Sequence, residues 1–295
     1  MENIELIRYM QETLPETVAV IGYGSGIYKQ ENYGPEKPDK DAIVVVTNFR
    51  NFLIKDYQQN PHHFAKDFDK HVLYKQKSNS YYKNIGCLKY SEDGQRIKLM
   101  IISENALYQD LDTWRYFGMA CRLTKPILYQ DVPPRLDNAI KLNRERIARL
   151  ALLYNPKDVL TPTELYETIS QMSYQYDFRT TLHAEKKTKS KDIVGGAKDF
   201  FDDVYLHIPN LNYENGQIIN EHILPEIGQM PAAFEEFMSK KNLTTKEEIS
   251  KAIDDFLKKT NRINSIRLAI SSGTTLGIKS SVKHGMQKVK KGLMR

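Results

Sequence analysis

The chain has 295 residues, 40% hydrophobic and 27% charged, with a mean hydropathy of −0.56 and a net charge of +6. No apolar run is longer than five residues (Ala42–Val46, Leu150–Tyr154), and a membrane-crossing helix needs about 20, so a bilayer-spanning helix is excluded. Cys87 and Cys121 have no CxxC spacing, which excludes a disulfide framework and a thiolate zinc site; with an N-terminal segment unlike a secretion signal or transit peptide, a reducing, cytoplasm-like compartment is expected.

In chain order, a short N-terminal helix is predicted, with Ile4, Ile7 and Leu14 on one side. Three short, nearly all-apolar runs follow: Val18–Ile21, Ala42–Val46 and Leu99–Ile102. Each has the length of a buried strand rather than a helix. Asp93-Gly94 is a hairpin signal between Ile85–Tyr90 and Gln95–Ile102. Asn60-Pro61 punctuates two polar segments that read as helical, and Leu107–Leu123 reads as one helix ending before Pro126. Pro133-Pro134 marks a junction into a mainly helical region: Leu136–Tyr154, Pro162–Tyr174 behind a Thr161 N-cap, Pro231–Phe237 and Lys246–Lys259. Pro209–Gln217 reads as a loop.

The positive charge is concentrated. Residues 261–295 hold eight Lys or Arg and no Asp or Glu, so the rest of the chain is slightly acidic. Such a tail is an electrostatic device for an anionic partner, nucleic acid or lipid. Within it Ile278, Val282, Met286, Val289 and Leu293 form a narrow apolar helical stripe flanked by lysines, the pattern of an interfacial membrane helix. Gly277, Gly285 and Gly292 weaken that helix by roughly 1 kcal/mol each in water. Packing of the stripe on the protein body is the other reading.

The chemistry-bearing pattern lies near the start. Val18–Tyr23 runs into Gly24-Ser25-Gly26, and after a gap of thirteen residues from Ser25, Asp39-Lys40-Asp41 leads into the next strand. This is the layout of the polymerase-β-like nucleotidyltransferases. Glycines let a backbone approach a triphosphate, whose oxygens the turn amides and the Ser25 hydroxyl can bond. Residues two apart on a strand point to one side, so Asp39 and Asp41 can hold Mg²⁺ between them. Lys40 stands where an apolar residue is usual, and a strand starting at Asp41 would leave Asp39 astray. Lys98, on the strand Arg96–Ile102, is a candidate phosphate contact. Arg179, Lys187 and Lys189 form a candidate phosphate clamp, with Asp177 orienting Arg179; a structural Asp–Arg pair beside a solvated lysine run is the plainer reading.

With these residues in place, the chain resembles the peripheral, mitochondrial-type CTP:phosphatidate cytidylyltransferases, the translocator assembly and maintenance family. The matching segments are Tyr23–Gln30, Asp41 before its strand, Asn60-Pro-His-His63-Phe, Arg96-Ile-Lys98, Asp110–Trp114, Ala120-Cys-Arg122-Leu-Thr-Lys125-Pro126, Glu164–Glu167, Ser173–Arg179, Lys189 with Ile193-Val194, and the basic tail. Asp39 is not a fixed feature of the family; Cys121, Asp192 and Leu99-Met-Ile stand where other residues are usual, as in a divergent, bacterial member.

The resemblance implies transfer of CMP from CTP to phosphatidic acid, giving CDP-diacylglycerol and pyrophosphate, with Asp41 as the key aspartate; the strand pattern adds Asp39 as its partner on Mg²⁺. The resemblance also implies substrate contacts at Tyr23, Gly24, Ser25, Gly26, His63, Lys98, Arg122, Lys125, Asp177, Arg179, Lys187 and Lys189. The acceptor phosphate has a second pKa of about 6 and needs no general base at neutral pH. The seven histidines show no metal-ligand spacing; for His63 a capping or packing role is the alternative. The expected architecture is α/β: a polymerase-β-like nucleotidyltransferase domain over 1–130, a mainly helical, winged-helix-like domain over 131–255, and an amphipathic, basic, membrane-contacting helix over 256–295. The expected location is cytoplasmic, peripheral on the inner face of a membrane held through residues 261–295, or on the matrix side of the inner membrane if mitochondrial. Two rivals are a nucleotidyltransferase acting on a nucleic acid end, against which the missing aromatic-interleaved basic patch argues, and a non-catalytic membrane-surface scaffold.

Overall fold

The computed structural model describes residues 2–31, 39–64, 85–92, 95–176, 188–220 and 229–276. The protein is mixed α/β. Its larger sheet has the order β3-β4-β2-β1-β5, formed by β1 (Thr17–Tyr23), β2 (Lys40–Val46), β3 (Ile85–Glu92), β4 (Gln95–Ser103) and β5 (Ile127–Tyr129). The three apolar runs are the three central strands β1, β2 and β4, as their length and composition predict. β2 and β4 are parallel; every other pairing in this sheet is antiparallel. Glu92 pairs with Gln95 across the expected turn, whose two residues lie outside the described set.

Helices cover both faces of the sheet. Val20, Val44, Val46, Leu99 and Ile101 pack under α1 (Asn3–Thr13) and α2 (Phe49–Gln59). In α1, Leu6, Ile7 and Met10 are buried and Glu2 with Glu5 forms a capping box. Asn48 caps α2 by accepting from the Asn51 amide at 3.0 Å, and a 3₁₀ turn, Pro61–His63, follows it. Ala19, Ile21, Ile43, Val45, Met100 and Ile102 face the opposite way into a larger apolar cluster that continues to Phe256 and Leu257.

The single helix expected over Leu107–Leu123 is two: α3 (Glu104–Thr113) and α4 (Gly118–Arg122). Between them Trp114 and Phe117 adopt left-handed φ values of 55° and 58°. The cause is Asp110, described below. After Pro133-Pro134 come α5 (Pro134–Tyr154) and α6 (Pro162–Gln171), the latter closed by the Thr161–Glu164 capping box. The chain then makes turns to Tyr176 before α7 (Lys189–Gly196) and α8 (Lys198–Tyr205).

Residues Pro209–Gln217, expected as a loop, contain a hairpin of β7 (Asn212–Glu214) and β8 (Gln217–Ile219). Asn215 and Gly216 turn it with φ of 50° and 79°, the type I′ signature. With β6 (Val159–Leu160) it forms a second sheet of order β6-β8-β7. The last elements are α9 (Ala232–Met238) and α10 (Lys246–Leu276), which runs well past the Lys259 end expected for it. Phe256, Leu257 and Asn261 are buried, and the Asn261 amide donates to the carbonyls of Met172 and Gln175 at 2.6 and 2.8 Å. The start of the expected tail is therefore packed on the body. The stripe Ile278–Leu293 lies outside the described residues.

Candidate active site

Three strand ends meet at one edge of the larger sheet: the finish of β1 and the starts of β2 and β4. Alternation along each strand puts Tyr23 on the same face as Ala19 and Ile21, Asp41 with Ile43 and Val45, and Lys98 with Met100 and Ile102. Register then aligns Tyr23 with Asp41 and Asp41 with Lys98. Asp39 precedes β2 by one residue, and its Oδ2 lies 2.5 Å from Lys98 Nζ. The strand thus starts at Lys40, and Lys40 does not turn Asp39 away: Asp39, Asp41, Lys98 and Tyr23 share one face, that of the larger core.

The Gly24-Ser25-Gly26 turn folds onto the two carboxylates. The amides of Ile27 and Tyr28 donate to Gly24 O at 3.1 and 2.9 Å. Gly24 has φ of 78°, and a Cβ there would sit 3.1 Å from Asp41 Oδ2. At Gly26 a Cβ would lie 2.4 Å from Asp39 O and 2.8 Å from Lys40 Cα. A side chain at Gly24 would be strained by the positive φ and would press on the Asp41 carboxylate, and one at Gly26 would have to move the start of β2. Ser25, between them, is half-buried.

Basic residues arrive from the helices. The Arg122 guanidinium, at the end of α4, lies 5.0 Å from the Tyr23 ring centroid, a cation–π contact. Lys125 Nζ donates to Ser173 Oγ at 2.5 Å and lies 4.2 Å from the Tyr174 ring. Lys189, first residue of α7, donates to Gln30 Oε1 at 2.8 Å, and Glu31 N donates to Asp192 O at 2.9 Å. These bonds seat α7 on the segment leaving the Gly-Ser turn. Asp177, Arg179 and Lys187 lie outside the described residues. His63 is buried, with both Asp56 carboxylate oxygens 3.0 Å from its Nδ1 and Asn60 Nδ2 donating to Asp56 at 2.9 Å. Its position is thus fixed by packing and hydrogen bonds beside α2.

Asp110 was not among the expected site residues, yet it positions one of them. Its fully buried carboxylate accepts from the amides of Tyr116, Phe117, Met119 and Ala120 at 3.1, 2.6, 2.7 and 3.2 Å. Burial pushes this carboxyl up, against the four amides that pull it down. The bonds end α3, start α4 and so aim Arg122. Asn143 completes the bracket: it accepts from Trp114 Nε1 and donates to Ala120 O, both at 2.9 Å. An acid inside an apolar helical pattern, followed by Trp and Gly, was the available signal. Cys121 is buried and burial pushes its thiol up, which makes it inert as a nucleophile.

Among the described residues no group of three or more His, Cys, Asp or Glu gathers as a metal centre. The pair Asp39 and Asp41 nevertheless fits a magnesium site, because Mg²⁺ is commonly held by one or two carboxylates plus substrate phosphates.

A family model described as "Phosphatidate cytidylyltransferase, mitochondrial" matches residues 7–224. Proteins carrying that name in Saccharomyces cerevisiae and Schizosaccharomyces pombe are each 29% identical to this chain. The first aligns over 64% of this chain and 51% of its own length, the second over 86% and 64%. The human protein of that name is 30% identical over 67% of this chain and 44% of its own length. This chain thus spans about half to two thirds of the length of curated relatives that it matches. A match over most of the chain, which takes in the Gly-Ser turn, both carboxylates and α7, makes this protein a member of the family described as phosphatidate cytidylyltransferase, mitochondrial.

Proposed function

We propose that the protein is a CTP:phosphatidate cytidylyltransferase. Family membership supports this, and the observation that carries it is the edge where Asp41, Asp39 and Lys98 share one face beneath a glycine turn too tight for side chains. We read the strand-end arrangement as a polymerase-β-like nucleotidyltransferase domain over about 1–130, and the following helices with their Asn215-Gly216 hairpin as a winged-helix-like domain.

In the reaction a phosphate oxygen of phosphatidate attacks the α-phosphorus of CTP. A new P–O–P bond forms, the bond from the α-phosphorus to the α–β bridging oxygen breaks, and pyrophosphate leaves with that electron pair. The acceptor oxygen is already ionised at neutral pH, so no side chain has to remove a proton. Catalysis reduces to positioning and charge neutralisation. The turn amides and Ser25 hold triphosphate oxygens. Asp39 and Asp41 would hold Mg²⁺, which supplies charge neutralisation at the phosphates. Lys98, tied to Asp39, keeps the two carboxylates from repelling each other and faces the phosphates. Arg122, Lys125 and Lys189 supply positive charge from the helical side, joined in this reading by Arg179 and Lys187. We place the enzyme at a membrane surface, held by the basic residues beyond the packed part of α10 at about 1 kcal/mol per Lys or Arg near anionic lipid.

The test is CDP-diacylglycerol formation from CTP and phosphatidate in liposomes with Mg²⁺. The intact chain forms product. Asp41→Ala loses about 10²–10³-fold in turnover. A chain stopped after Leu276 keeps its fold and loses activity on liposomes. No product from a folded chain that binds CTP would overturn the proposal, and liposome binding without CTP binding would leave a scaffold.

A further inference from the structure

Arg144 lies on the apolar side of α5, between Ile140 and Ile147 in helical register, and is 9% exposed. A guanidinium presents five donors and stays charged at any working pH. This one has no carboxylate in ion-pair contact among the described residues. Its Nε donates to Leu123 O at 3.1 Å, its Cζ lies 5.1 Å from the Phe200 ring centroid, and its Nη2 is buried with no hydrogen-bond partner. The hydroxyls around it are committed elsewhere. Tyr28 donates to Ile127 O, Tyr129 to Asp137 Oδ1 and Tyr205 to Thr124 O, at 2.8, 2.7 and 2.5 Å. The carboxylate of Asp137 is shared between Tyr129 and Lys141. Asp137 lies within electrostatic reach of Arg144 and offers it a counter-charge at a distance but no hydrogen bond, and a buried unsatisfied donor calls for a partner.

Arg122 repeats the pattern one residue before Leu123. It too has a buried nitrogen, Nε, with no partner among the described residues. Arg122 lies over Tyr23, just before the Gly-Ser turn, and Arg144 lies over Phe200, whose ring centroid is 6.3 Å from that of Tyr28, just after it. Tyr23, beneath Arg122, pairs with Ile127 in the β1–β5 register. Tyr28, beside Arg144, donates its hydroxyl to the carbonyl of that same Ile127.

We propose that Arg144, together with Arg122, binds the phosphate group of a substrate at the helical side of the Gly24–Gly26 turn, with Arg144 as the buried anchor. The ligand class is a phosphate or polyphosphate anion. On the reading given above, on which this inference rests, its source is either the CTP triphosphate or the phosphatidate headgroup.

The experiment is titration calorimetry of the full chain with pyrophosphate and with CTP, beside thermal unfolding and the KM for phosphatidate in vesicles. Arg144→Met removes the charge and keeps an unbranched apolar side chain. It is expected to unfold at a temperature equal to or above wild type, and to bind the phosphate ligand at least tenfold more weakly. Arg144→Lys keeps a charge, loses the forked geometry, and is expected to fall between the two. Arg149→Met, at a half-buried arginine on the same helix whose Nη1 donates to Gln229 Oε1, is expected to bind as wild type. Weakened pyrophosphate and CTP binding with an unchanged phosphatidate KM assigns the site to the nucleotide; a raised phosphatidate KM alone assigns it to the lipid. If Arg144→Met binds every ligand as wild type, or unfolds early with an unchanged ligand-induced shift, Arg144 is structural and this inference falls alone. If the wild-type chain binds neither pyrophosphate nor CTP, the proposed function falls with it.

Discussion

The two faces of the larger sheet are equally dry and do different work. Under α1 and α2 the packing is confined to segments near the sheet in sequence, and the buried Asp56–His63 pair lies beside α2. The other face carries the large core and, among the described residues, the helices that bear Arg122 and Lys189. Its strand residues change from apolar to polar at one edge, where Ile21 gives way to Tyr23, Ile43 to Asp41 and Met100 to Lys98. A core face therefore becomes a site where the overlying helices stop, and the helices that fill the core also aim Arg122 and Lys189. The α1–α2 face should then be separable from chemistry, and the helical face should not.

The largest effect tests that separation directly. Trp114→Ala and Phe52→Ala each empty a fully buried aromatic site, one per face, and each is expected to cost about 3–5 kcal/mol in denaturant unfolding. At a temperature where both variants remain folded, Trp114→Ala should weaken CTP binding and Phe52→Ala should not. Equal weakening would break the comparison. Next, Asp110→Ala strands four backbone amides, with an expected loss of about 2–3 kcal/mol or more. It should also weaken CTP binding, because α4 no longer fixes Arg122; loss of stability with unchanged CTP affinity would divorce Asp110 from the site.

Gly26→Ala pushes a methyl into the start of β2. It is expected to cost about 1–3 kcal/mol and roughly 10²-fold in turnover, the scale of a 1 Å displacement. Activity near wild type would mean that the turn does not hold substrate. The smallest effect lies at the N-terminus of α6. Lys157 and the Thr161 bonds hold Glu164 down at about 2, from a usual 4.5. A carboxyl lowered on folding contributes stability above about pH 4.5 and loses it as pH falls towards 2. Thr161→Ala should cost about 1 kcal/mol at pH 7. Glu164→Gln should remove this part of the acid sensitivity between pH 4.5 and 2 in urea midpoints, with turnover unchanged at pH 7.

The central strands and the carboxylate pair were legible because they depend on local rules. Runs buried on both faces read as unbroken apolar stretches, and residues two apart share a side. Whether Asp39 faces the site was not legible, since that depends on where β2 begins and on the cross-strand reach of Lys98. The break in the helix at Trp114 was hidden because apolar periodicity ignores a side chain that captures amides six to ten residues ahead. The Asn215-Gly216 hairpin carried a turn signal, but its strands have three residues each, too few to show alternation. The length of α10 depends on Asn261 bonding carbonyls nearly ninety residues away. Arg144 was not singled out by the sequence, because only the packing around it shows that its Nη2 is buried without a hydrogen-bond partner.

The parallel pairing of β2 with β4 has a consequence for how the protein comes to be active. Parallel neighbours cannot be joined by a tight turn, and here 48 residues separate Val46 from Gln95. Closing so long a connection costs entropy before any contact returns it, so such pairings form slowly. Asp41 and Lys98 sit opposite each other only across this pair. A chain that has formed its helices and its β3–β4 hairpin is therefore still without the carboxylate–lysine edge, and nucleotide binding should mature with the last stage of folding rather than with the bulk of the secondary structure.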